Sequence, residues 1–97
     1  MAILYVSENW NEYREKRLLK EYCNVVFDIF DAGTIEETEV VGEIIRKAFE
    51  PIGYTIDIDD FRINIRRNPK DDQPSRLVAV ILVDEGIVIN LTDQTGD

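Results

Sequence analysis

Histidine is absent from this 97-residue chain, and cysteine occurs once. Without histidine, a serine or cysteine nucleophile lacks its usual base, and a metal lacks its commonest side-chain ligand. The only serines, Ser7 and Ser75, read as a helix cap and a loop residue. One cysteine cannot close an intrachain disulfide, which points to a reducing setting and a cytoplasmic location. Cys23 falls on an apolar helical stripe, so packing is expected of it rather than reactivity. Glycine-rich phosphate loops are missing as well: neither GxGxxG nor GxxxxGKS/T occurs.

No apolar run approaches the roughly 20 residues of a membrane span. The segment from Met1 to Val6 is too short, and too poor in basic flanks, to read as a signal peptide. Basic residues are scarce: 11 against 20 acidic ones, for a net charge of −9. That balance argues against direct binding to a phosphate backbone and against docking on anionic membranes. It favours a basic protein partner drawn in by electrostatic steering.

What the chain does have is one concentrated block of acid. Residues 28 to 60 carry ten carboxylates (Asp28, Asp31, Glu36, Glu37, Glu39, Glu43, Glu50, Asp57, Asp59 and Asp60) against only Arg46 and Lys47. This block is net −8, nearly the whole charge of the protein. Residues 61 to 76 reverse the sign, with five basic side chains against two acidic ones. Arg62, Asn64 and Arg66 share one strand face there, without interleaved aromatics, and read as a solvated face balancing the acidic helices.

Residues 8 to 31 have helical periodicity, with a polar stripe through Arg17, Glu21, Asn24, Asp28 and Asp31 and Ser7 as the expected N-cap. Gly33 fits a left-handed cap, and Thr34 with Glu37 forms a capping box for a second helix. The apolar face of that helix runs through Val40, Val41, Ile44, Ile45, Ala48 and Phe49, and Pro51 and Gly53 end it. Gly42, in mid-helix, implies a close helix–helix or helix–sheet contact.

Strands follow. Tyr54, Ile56 and Ile58 alternate with polar residues, then Phe61, Ile63 and Ile65 do so on the other parity, which requires a bulge or turn at Asp59-Asp60. Residues 68 to 75 form a polar loop. Residues 77 to 83 are apolar on both parities, as in a strand covered on both faces. Asp84-Glu85-Gly86 reads as a hairpin loop setting Val83 opposite Ile87.

The expected architecture is α+β and two-layered: a short N-terminal strand, a helical hairpin, then an antiparallel sheet of three to four strands, in the order β-α-α-β-β-β-β. A single domain is expected over residues 1–92, with a flexible tail over residues 93–97.

The expected function is a small acidic, non-enzymatic protein-binding module (a regulator, inhibitor or assembly factor) engaging a basic partner surface through Glu36, Glu39, Glu43, Asp57, Asp59 and Asp60. Carboxylates at helical spacing also suit a mimic of nucleic-acid charge, although Arg46 and Lys47 interrupt the row. No cofactor is implied. Two alternatives compete. One is a metal-dependent enzyme built on Asp57, Asp59 and Asp60, whose spacing puts paired carboxylates on one strand face. It lacks the glycine and glutamate of a calcium loop, since Arg62 and Asn68 stand there. The other is a subunit dimerising through an exposed apolar sheet face of Val78, Val80, Leu82 and Val88.

Overall fold

Residues 2–30 and 33–83 are described by the structure, a computed structural model. Strand β1 (Ala2–Val6) leads to helix α1 (Tyr13–Phe30) and helix α2 (Ile35–Phe49). After a 3₁₀ turn over Glu50–Ile52 come β2 (Tyr54–Asp59), β3 (Arg62–Arg67) and β4 (Arg76–Val83). The four strands form one antiparallel sheet in the order β1-β4-β3-β2, with both helices packed on one face. This is the α+β, two-layer arrangement read from the sequence. The hairpin expected at residues 84–86, its returning strand and the 93–97 tail lie outside the described residues.

Register explains the two layers. Leu4, Ile81, Ile63 and Ile58 form one row across the strands, and Val6, Ala79, Ile65 and Ile56 form the next. These rows meet Leu19, Cys23 and Val26 of α1 and Val41, Ile45 and Phe49 of α2 in a continuous core. The alternate rows face outward: Ile3, Leu82, Arg62 and Asp59, then Tyr5, Val80, Asn64 and Asp57. That outer face is apolar toward β1 and polar toward β2.

Helix α1 begins at Tyr13 rather than Glu8, and Ser7 does not cap it. The sheet claims Ser7: its amide donates to the Val78 carbonyl at 2.9 Å, and its carbonyl accepts from the Trp10 amide. Its hydroxyl accepts from the Asn9 amide at 3.2 Å. The resulting turn lets Trp10 enter the core, where it is 1% exposed and its indole N–H donates to the buried Tyr54 hydroxyl at 3.0 Å. Burial of one large aromatic outweighs the single turn of helix that is forgone. Tyr54 continues the aromatic cluster, meeting Trp10 and Phe49 edge to face, each at 5.7 Å. Tyr13, by contrast, lies exposed at the helix start.

At α2 the capping box forms as the sequence implies. Glu37 donates its amide to the Thr34 hydroxyl, and its carboxylate accepts from the amides of Thr34 and Gly33. Hydrogen bonds from Gly33 and Thr34 hold the Glu37 carboxyl below the ordinary glutamate range. The left-handed cap expected at Gly33 depends on residues 31 and 32, which lie outside the described residues. Gly53, at φ 104°, is the glycine that turns the chain from the 3₁₀ segment into β2.

Parity flips between β2 and β3 through a turn. Asp60 and Phe61 form a two-residue hairpin loop between the Asp59–Arg62 pair, with Asp60 left-handed at φ 51°. Aspartate tolerates that conformation better than most side chains. The register irregularity of the sheet lies elsewhere, between Ile65 and Arg66 against β4. It leaves Val78 and Ala79 consecutive on the helix side, both fully buried.

That slip corrects the apolar-patch expectation. Val78 belongs to the core under the helices instead of the outer face. Val80 does face outward, yet it is only 1% exposed, and Leu82 is half-buried. Val88 lies outside the described residues.

Candidate functional acidic cleft

Two stretches of the acidic block meet at one open cleft of about 360 Å³. Helix α2 contributes Ile35, Glu39, Glu43 and Arg46, successive positions along one helix face. The end of β2 and its turn contribute Ile58, Asp59 and Asp60. Gly42 makes the junction close. A Cβ there would lie 2.4 Å from Cδ1 of Ile58, so any larger residue would force Ile58 or α2 to shift at this point. The close approach implied by a mid-helix glycine is therefore a helix–sheet contact, and it forms one wall of the cleft.

Arg46 organises the site. Its Nη1 lies 2.5 Å from Oε2 of Glu43, and its Nε lies 3.5 Å from Glu50. Its Nη2 donates to the Ile56 main-chain carbonyl at 2.9 Å. The guanidinium thus bridges α2 to the sheet and neutralises Glu43. Glu39, Asp59 and Asp60 have no ion pair among the described residues. The cleft is lined by Glu39, Asp59 and Asp60, unpaired among the described residues, beside Ile35 and Ile58, an arrangement that favours a cation carrying some apolar surface.

The other expected site residues are placed differently. Glu36 is exposed in the first turn of α2 and does not line the cleft. Asp57 sits one row back on the outer sheet face, 3.7 Å from Arg66, an exposed pair of small energetic weight. Arg62 donates to the Asn64 side chain at 2.7 Å on the same face. Arg67 points the other way, toward the helices, and pairs with Glu12 at 3.1 Å. Among the described residues no group of three or more cysteine or acidic side chains could hold a metal ion. Cys23 is buried and its thiol is pushed up to about 12 by desolvation, which removes the nucleophilic thiolate at neutral pH.

No protein-family model, curated protein or solved structure matches this chain. Arg46 is the site residue the sequence undervalued: there it only interrupted an acidic row. Its spacing of three from Glu43 and four from Glu50 was the available signal. Nothing in the sequence pointed to Ile35 or Ile58 as neighbours of the free carboxylates.

Proposed function

We propose that this protein is a small acidic protein-binding module whose α2–β2 cleft receives a basic segment of a partner protein. The observation that carries this reading is the convergence on one cleft of Glu39 from α2 with Asp59 and Asp60 from the end of β2, all three without an ion pair among the described residues. Like charges held together on a folded surface raise its negative potential, and a lysine or arginine side chain relieves that repulsion. Ile35 and Ile58 supply contact for the aliphatic stem of such a side chain. The chain's net charge of −9 extends the attraction beyond the cleft and speeds encounter.

A basic segment fits better than a nucleic-acid-binding groove. The carboxylates converge on a concave site instead of standing in a phosphate-like row, and Arg46 neutralises Glu43 within that row.

The test is titration of the folded protein with a short oligolysine at low and high salt, followed by backbone amide NMR. Shifts should centre on Glu39, Asp59 and Asp60 and vanish at high salt. A Glu39→Gln, Asp59→Asn, Asp60→Asn variant keeps the shape of the site and should lose the interaction. Equal binding by that variant would refute the proposal.

A further inference from the structure

Strand β2 ends the four-stranded order, so one of its edges carries no strand among the described residues. The Gly53 carbonyl accepts from the Asn68 amide at 3.0 Å, which phases the ladder. Antiparallel alternation then turns the main-chain groups of residues 55, 57 and 59 toward β3, and those of Tyr54, Ile56 and Ile58 toward the open edge. The Ile56 carbonyl agrees: it accepts from Arg46 Nη2, so the guanidinium stands where the N–H of a neighbouring strand would stand. Beside the next outward residue, Ile58, the edge opens into the acidic cleft under Glu39 and Glu43.

We propose that β2 binds its partner by strand addition: an extended basic segment lies along this edge, hydrogen-bonds to Ile58 and, taking the place of the Arg46 guanidinium, to Ile56, and directs lysine or arginine side chains to Glu39, Asp59 and Asp60. This rests on the basic-partner reading above and adds how the segment is held. Main-chain bonds along an exposed edge supply affinity, and side-chain chemistry selects the sequence. Charge decides the occupant. A second copy of this chain pairing through the same edge would bring Asp57, Asp59 and Asp60 against another set of carboxylates, which like-charge repulsion disfavours. The same charges that bar self-association admit a basic strand. Arg46 already shows a guanidinium accommodated at this edge, between Glu43 and the Ile56 carbonyl.

The experiment compares two probes on the intact protein at low salt. One is a short peptide alternating arginine and threonine. The other has the same residues with every backbone nitrogen methylated, which keeps the charge and removes the donors. Each is titrated by calorimetry, and amide hydrogen exchange is read at Ile56 and Ile58. The unmodified peptide should bind and slow exchange at both amides. The methylated peptide should bind at least about tenfold more weakly, as expected for the loss of roughly two hydrogen bonds. Equal binding of the two, or binding without new protection at Ile56 and Ile58, overturns strand addition and leaves the basic-partner reading standing. Failure of both peptides to bind overturns both.

Discussion

Replacing Gly42 with alanine sets two effects of similar size against each other, and the structure says which wins. Alanine is favoured over glycine in a helix interior by about 1 kcal/mol, so an uncrowded site would gain stability. At Gly42 the new methyl would stand 2.4 Å from Cδ1 and 2.5 Å from Cγ1 of Ile58. Carbon atoms prefer separations of about 3.5–4.0 Å, so the overlap exceeds roughly 1 Å. The terminal methyl of Ile58 can swing toward the cleft, but Cγ1 moves only if χ1 turns or α2 lifts from the sheet. Overpacking of this kind costs about 1–3 kcal/mol. Gly42→Ala should therefore be destabilising, by up to about 2 kcal/mol after the propensity gain is subtracted.

Urea unfolding followed by circular dichroism measures this as a lower midpoint at unchanged slope. The decisive control is Ile58→Ala. In that background the clash is gone, and Gly42→Ala should stabilise by about 1 kcal/mol, so that the cycle shows a coupling of at least about 1 kcal/mol. A stabilising Gly42→Ala in the native background, or the same effect in both, would refute the close packing of α2 on β2. The geometry of the acidic cleft would fall with it.

Two further expectations concern the core. Burial raises the Tyr54 hydroxyl to about 12, from an ordinary value near 10, despite the Trp10 hydrogen bond and Arg67 acting the other way. The folded state thus holds that proton more tightly than the unfolded one, so the contribution is complete below pH of about 10 and lost as pH rises through about 12. Absorbance titration should find tyrosine ionisation persisting to pH of about 12, together with alkaline unfolding; complete tyrosine ionisation of the native protein near pH 10 would contradict it. Cys23 should resist a thiol-specific reagent at neutral pH until urea unfolds the chain, because burial keeps it protonated. Labelling of the native protein at the rate of a small free thiol would show that the α1 packing is wrong.

Much of the fold was legible because the signals are local. Thr34 and Glu37 are three residues apart, and the capping box depends on little else. The flip of apolar parity between Ile58 and Phe61 demands a reversal, expected at Asp59-Asp60; the turn lies one residue on, at Asp60-Phe61. Helix α1 starts later than its local periodicity implies, for a non-local reason. Residues 8 to 12 are compatible with helix, but Ser7 bonds to Val78 and Trp10 to Tyr54, partners far away in sequence. Strict alternation would put Val78 on the outer face, whereas a register slip against β3 puts it beside Ala79 on the helix side.

The amino-acid order by itself determined that the protein is acidic, that its acid is concentrated between residues 28 and 60, and that α2 presents part of it at helical spacing. Charge and local periodicity need no tertiary contact to be read. Only the tertiary structure decided which carboxylates stand together. Packing of α2 across β2, through the space left by Gly42, joins Glu39 to Asp59 and Asp60. Asp57 stands farther back on the outer face beside Arg66, and the reach of Arg46 across to the Ile56 carbonyl removes Glu43 from the free set. Those are distances between residues remote in the chain, set by a core that no single segment specifies.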